Sequence, residues 1–206
     1  AVEAVSCERP VPLAADKPLY NVVLLDYGKK ENIARELVKR GCNVAVMPSG
    51  TKAEDVLKLD PDGIMLSNGP GDPAENTQCI EELKKMIGKK PIFGICLGHQ
   101  LLALAMGAET EKLKYGHRGV NQPVKNLETG RTYISSQNHG YAVVNESVEN
   151  CGGKISYVNA NDGTNEGIDY PEKNAFSVQF HPEACSGPHD TRFLFDRFIK
   201  MMGGKG

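Results

Sequence analysis

Pro91-Ile92-Phe93-Gly94-Ile95-Cys96-Leu97-Gly98-His99-Gln100 is an apolar strand pattern that ends in Gly-x-Cys-x-Gly. A helical run, Gln100-Leu101-Leu102-Ala103-Leu104-Ala105-Met106, lies directly behind it. Strand, sharp turn and helix around one reactive residue form a nucleophile elbow, here with cysteine in the serine position. The glycines remove Cβ atoms where the backbone turns and the strand passes close to the helix. The sulfur is then presented at a helix amino end, where free N–H groups and the positive end of the helix dipole meet an anion. The thiolate is the nucleophilic form, so this placement raises reactivity directly.

Working outward, the stretch before the elbow alternates strand and helix. Asn21–Tyr27 is a continuous apolar run, as expected of a strand buried on both faces. Glu31–Arg40 has helical spacing, with Ile33, Leu37 and Val38 on one side and Gly41 as a stop. A short strand at Asn43–Pro48, a helix at Ala53–Leu59 and a strand at Gly63–Ser67 follow. That strand runs into the tight loop Asn68-Gly69-Pro70-Gly71-Asp72-Pro73, and a helix spans Asn76–Ile87. Such alternation calls for a mostly parallel sheet with helices on both faces, an α/β fold. In these sheets the site lies beyond the carboxyl ends of the strands, where both Cys96 and the Gly69–Gly71 loop fall.

After Gly107 the pattern becomes β-rich. Glu109–Leu113, Val120–Lys125, Arg131–Ser136, Tyr141–Val144 and Lys154–Asn159 read as strands extending the sheet. Phe176–Phe180 is a last apolar strand. Asp190–Met202 reads as an amphipathic helix with Phe193, Leu194, Phe198 and Ile199 inward.

A nucleophile needs a base, and the Phe176–Phe180 strand delivers one in Phe180-His181-Pro182-Glu183. Proline pushes the preceding residue towards extended geometry. In an extended segment residues i and i+2 share a side, so Glu183 is placed to accept from one nitrogen of His181 while the other faces a sulfur. That is the logic of a triad in the chain order Cys96, His181, Glu183. Plainer readings stand beside it: Cys96 as a small core residue, His181 and Glu183 as a structural ion pair, and Gly69-Pro70-Gly71 as a mere turn.

Composition bounds the rest. The 206 residues carry 40% hydrophobic and 24% charged side chains and a net charge of −2, with a pI near 6.3. This is an ordinary balance for a globular protein, with no strong field for nucleic acid and no apolar run of membrane-spanning length. The six cysteines (Cys7, Cys42, Cys79, Cys96, Cys151, Cys185) form no C-x-x-C pair and read as free thiols of a reducing, cytoplasmic compartment. His99, His117, His139 and His189 show no ligand spacing, so no metal is expected. Residues 1–20 hold prolines at 10, 12 and 18, no periodicity, no signal-peptide pattern and no initiator Met. They read as a linker, with the folded domain at 21–203.

Gly94-Ile95-Cys96-Leu97-Gly98-His99-Gln100 together with Phe180-His181-Pro182-Glu183 resembles the class I, triad-type glutamine amidotransferases. Gly116–Val124 (Gly-His-Arg-Gly-Val-Asn-Gln-Pro-Val) and Ser136-Gln137-Asn138-His139-Gly140-Tyr141 are similar to the small-subunit branch of carbamoyl-phosphate synthase. Leu25–Ile33 and Ser67–Pro73 fit the same family.

The resemblance implies hydrolysis of L-glutamine through a glutamyl thioester on Cys96, with His181 moving protons and Glu183 orienting it. It assigns the oxyanion hole to the N–H groups of Gly69 and Leu97, and glutamine binding to Gly69, Gly71, Leu97, Gln100, Asn138, Gly140 and Tyr141. Tyr141 stands where the family often has Phe. The resemblance also implies a large ATP-using partner subunit, with ATP and a divalent metal there and no cofactor in this domain. It implies an amino-terminal half, missing here, that contributes to the glutamine site and to which residues 1–20 would be the linker. An amidotransferase of anthranilate or GMP synthesis is the alternative within the superfamily, and His117–Val124 argues against it. A non-catalytic partner-binding module is the alternative outside it, and the intact Cys96, His181 and Glu183 argue against that.

Overall fold

The computed structural model describes residues 1–184 and 191–203. Cys185, His189 and the expected helix start at Asp190 lie outside the described residues. In chain order the elements are α1 (Val2–Val5), β1 (Val11–Leu13), β2 (Tyr20–Asp26), α2 (Glu31–Lys39), β3 (Cys42–Pro48), α3 (Ala53–Lys58), β4 (Gly63–Leu66), α4 (Thr77–Met86), β5 (Ile92–Ile95) and α5 (Leu97–Met106). They continue with β6 (Thr110–Asn126), β7 (Thr132–Val143), α6 (Asn145–Val148), β8 (Lys154–Asn159), β9 (Asn165–Tyr170), β10 (Ala175–Val178) and α7 (Phe193–Met201). The strands form one ten-stranded sheet in the order β1-β3-β2-β4-β5-β10-β9-β8-β6-β7. Strands β3, β2, β4, β5 and β10 are mutually parallel, and β9, β8, β6 and β7 extend them antiparallel.

Alternate residues of a strand face opposite sides of a sheet, and the core divides accordingly. Val23, Leu25, Ile64, Leu66 and Ile92 pack with α4 and α5 through Leu83, Met86, Leu101 and Leu102. Val22, Leu24, Val44, Met65 and Phe93 pack with α2 and α7 through Ile33, Leu37, Leu194, Phe195 and Phe198. Phe93 stacks on Phe176 at 4.3 Å between ring centres and meets Phe195 edge-on at 5.6 Å. Full burial of each such side chain stabilises the fold by about 1.5–3 kcal/mol.

Four details differ from the sequence pattern. Residues 1–20 hold more structure than their lack of periodicity predicts: Val2 on α1 is buried in the core, and β1 pairs antiparallel with β3. The four strands expected between Glu109 and Val144 are two long ones, β6 and β7, whose pairing slips between Lys112 and His117 and between Gly119 and Gln122. These irregularities break the alternation that sequence reading relies on. β9 is an added strand with the polar sequence Asn-Glu-Gly-Ile-Asp-Tyr, buried between β8 and β10. Finally, α7 keeps Leu194 and Phe198 buried and Ile199 packed against the core as expected, but differs at its start. Phe195 turns inward onto Phe93, while Phe193 is 40% exposed beside Tyr133.

The elbow is crowded. A Cβ on Gly98 would sit 2.5 Å from the Leu66 carbonyl oxygen and 2.7 Å from Leu66 Cβ. A Cβ on Gly94 would sit 2.8 Å from the Gly98 oxygen. Overpacking against backbone typically costs about 1–3 kcal/mol. Gly98→Ala is therefore expected to lower the thermal midpoint by about 2–12 °C, measured by circular dichroism. An unchanged midpoint would show that β4 and α5 have slack here.

Candidate active site

The chain leaves β5 at Ile95 and enters α5 at Leu97, so Cys96 caps the helix. Its backbone is at φ 51°, ψ −104°, a region side-chain-bearing residues rarely adopt, costing on the order of 1–3 kcal/mol. The packing of β4, β5 and α5 around the two glycines holds that conformation in place. The helix begins three residues earlier than the apolar run from Gln100 suggests. Leu97 thus opens α5, and its N–H is one of those that no helical carbonyl accepts.

β10 lies parallel to β5 with Val178 opposite Ile95, and the Cys96 N–H donates to the Val178 carbonyl at 2.9 Å. The two strand ends therefore emerge side by side and bring His181 to Cys96. The His181 N–H donates to the Ser136 carbonyl at 2.9 Å, which ties this segment to β7. His181 Nδ1 lies 2.7 Å from Glu183 Oε1. A carboxylate oxygen only accepts, so Nδ1 carries the proton and Nε2 is left for the sulfur. Burial pulls the His181 imidazole down, but the Glu183 carboxylate and the hydrogen-bonding contact with Cys96 outweigh it and hold it up at about 10. Cys96, His181 and Glu183, expected from the sequence as a unit, stand together.

Beside Cys96 lies a cavity of about 620 Å³ lined by Gly69, Gly71, Gln100, Asn138, Gly140 and Tyr141, all expected from the sequence. Val5, Lys29, Asn68, Lys112, Arg118 and His139 are also in its wall. Leu97 is buried beneath the wall, with its Cδ2 2.9 Å from where a Gly69 Cβ would be. That same Cβ would lie 2.1 Å from the Tyr27 carbonyl oxygen, so only glycine lets this loop sit against β2. His181 and Glu183 open onto an adjoining cavity of about 740 Å³, which shares Lys29, Asn68, Arg118 and Asn138 with the first.

The sequence pattern assigns no role to Val5, Lys29, Asn68 and Lys112, which line the cavity, or to Gln179 beside the sulfur. Gln179 is the clearest of them, a fully buried amide whose Nε2 donates to Cys96 Sγ at 3.4 Å. A signal for it exists: a glutamine stands between the apolar Val178 and Phe180, directly ahead of His181.

Among the described residues, the other three imidazoles are held in hydrogen-bond or ion-pair contacts, and of these His139 also lines the cavity. His99 is fully buried with Nδ1 2.7 Å from Ser177 Oγ, and burial pushes it down to about 3, so it is neutral. His139 is pushed down to about 4, chiefly by burial, and sits between the Tyr141 carbonyl and Gln137 Oε1, each at 2.8 Å. The Glu166 carboxylate, with Asp162 assisting, raises His117 to about 9 against its burial. His117, His139 and Glu166 gather ligand-capable atoms within 4.8 Å of one another. His117 spends its nitrogens on Asp162 (2.7 Å) and Glu166 (3.3 Å), so the group works as an ion-pair network that neutralises a buried carboxylate. Among the described residues no helix is long and apolar enough to cross a membrane.

Known proteins share both pattern and fold. Residues 23–201 match the family described as glutamine amidotransferase class-I. The carbamoyl phosphate synthase small chain of Bacillus cereus is 57% identical over 201 residues, 98% of this chain and 54% of that one. The small chain of Staphylococcus epidermidis is 53% identical over 202 residues, again 98% and 54%. The chain thus spans about half the length of these relatives. Among solved structures, a putative GMP synthase subunit from Thermoplasma acidophilum superposes with a TM-score of 0.78 over 89% of this chain and 94% of that one. At 22% identity it speaks for the fold alone. The α/β sheet, the capping cysteine and the match over nearly the whole chain lead to one assignment: the chain belongs to the class-I glutamine amidotransferases.

Proposed function

We propose that this chain is the glutamine-hydrolysing part of a glutamine-dependent carbamoyl-phosphate synthase, releasing ammonia from L-glutamine for a large ATP-using subunit. The observation that carries the chemistry is the strained Cys96 at a helix amino end, beside a His181–Glu183 pair at 2.7 Å and a cavity of about 620 Å³. The high identity to carbamoyl phosphate synthase small chains supports the branch.

The Cys96 thiolate attacks the side-chain amide carbon of glutamine, and the developing oxyanion is met by the N–H groups of Leu97 and Gly69. Removing one such donor typically costs about 100–1,000-fold in rate. His181 gives its Nε2 proton to the departing nitrogen, the C–N bond breaks, and ammonia leaves a glutamyl thioester on Cys96. Acylation removes the anionic sulfur, one of the influences that hold the imidazole protonated. Neutral His181 can then take a proton from water. The hydroxide adds to the thioester, the C–S bond breaks, and glutamate is released with the thiolate restored. Gly71, Gln100, Asn138, Gly140 and Tyr141 hold the amino-acid end of glutamine. This domain needs no cofactor of its own; ATP and a divalent metal act in the partner subunit, and the reaction runs in the cytoplasm.

An uncoupled glutaminase wastes its substrate, so activity should depend on partners that bind the active and resting states unequally. The chain alone is expected to hydrolyse glutamine weakly. The preceding half that the resemblance implies should raise the rate, and the large subunit with bicarbonate and ATP should raise it further. A steady-state glutaminase assay with each addition in turn measures this. Full activity in the chain alone, unchanged by either addition, would point to a stand-alone amidase instead.

A further inference from the structure

We propose that Gln179 is a positioning residue of this site, holding the Cys96 sulfur for attack through Nε2 while fixing the amide of Gln100 through Oε1. The proposal rests on the glutaminase reading above.

Gln179 follows β10 and is fully buried, with its main-chain N–H donating to the Glu166 carbonyl at 2.9 Å. Burying a primary amide is costly unless its donors and acceptor find partners, and an apolar residue would fill the space more cheaply. The partners it has form a directed chain. The Tyr141 carbonyl can only accept, and it takes a hydrogen bond from Gln100 Nε2 at 2.9 Å. Gln100 Nε2 also donates to Gln179 Oε1 at 2.9 Å.

Flipping Gln100 would set its oxygen against the Tyr141 oxygen. Flipping Gln179 would set two donors face to face. The orientation therefore propagates from a main-chain carbonyl to the sulfur and points the Gln179 N–H at Cys96 Sγ, 3.4 Å away.

Two consequences follow. An N–H aimed at sulfur favours the anionic form, and that form is both the nucleophile of the first step and the leaving group of the second. Meanwhile both N–H groups of Gln100 are spent, so its oxygen is what it offers to the cavity, as an acceptor for an N–H of the bound amino acid.

Two variants of the full chain separate these roles. Gln179→Glu keeps the acceptor for Gln100 and removes the donor to sulfur. Gln179→Met keeps the bulk and removes both. Alkylation of Cys96 by iodoacetamide, followed by peptide mapping, is expected to slow by about 10- to 100-fold near neutral pH in both variants. Its pH profile should move to the alkaline side. KM for glutamine is expected to rise in Gln179→Met and to change little in Gln179→Glu.

Melting curves establish that each variant is folded, and either folded variant suffices for the alkylation test. Parental alkylation rates and pH profile in a folded variant would overturn the proposal and leave Gln179 as core filling. Unaltered KM in folded Gln179→Met would overturn its hold on Gln100. Glutamine hydrolysis surviving in Cys96→Ser would instead sink the glutaminase reading itself, whatever Gln179 does.

Discussion

Cys96→Ser is expected to fold normally and to lose glutamine hydrolysis by about 10⁴–10⁶-fold, the scale at which removing a nucleophile or its base disables a triad. The hydroxyl is isosteric enough for the crowded elbow but is scarcely ionised beside the same imidazole. In the parent, a glutamine-analogue electrophile should label Cys96 before the other cysteines. Cys42 is buried in the core and its thiol is pushed up to about 12, and burial also raises Cys79 and Cys7. Labelling is read by peptide mapping, activity by ammonia release. Preferential labelling of Cys42 or Cys151 with Cys96 untouched would remove the basis for the assignment.

His181→Ala is expected to be nearly as damaging, about 10⁶-fold, and Glu183→Gln less so, about 10⁴-fold. The amide oxygen at 183 still accepts from Nδ1 and keeps the ring oriented, but it no longer stabilises the imidazolium. Equal loss in both folded variants would mean that Glu183 does more than orient. The pair also sets a pH dependence. The folded-state value of His181 lies near 10, above the ordinary 6.5. Its contribution to stability is therefore fully present below about pH 6.5 and is lost as pH rises through about 10. Urea midpoints at pH 6, 8 and 10 should fall more steeply for the parent than for His181→Ala. Parallel slopes would show that other groups carry the alkaline loss.

The parts legible in the sequence are those whose signal is local. The apolar parallel strands, the glycines around Cys96 and the i, i+2 spacing of His181 and Glu183 each state their geometry within a few residues. β9 is not legible, because Asn165 and Glu166 look like loop residues until His117 is seen to neutralise the carboxylate. The long β6–β7 pair reads as fragments, because its slips in register hide the alternation. Residues 1–20 give no periodic signal, because an edge strand of three exposed residues and a helix of one turn bury too little to need one. Gln179 stands just before Phe180-His181-Pro182-Glu183, yet its partner is 83 residues away, and no local pattern encodes that.

The position of β10 bears on how this molecule comes to be. It is the seam of the sheet, with the parallel strand β5 on one side and the antiparallel strand β9 on the other. Loop-closure entropy must be overcome before such distant pairings contribute, so contacts of this span belong to the slow part of folding. A chain arrested before β10 inserts would hold Cys96 on its elbow with no imidazole beside it. Recovery of glutamine hydrolysis after dilution from denaturant should therefore lag the return of helical signal and report the moment the two halves of the sheet are joined.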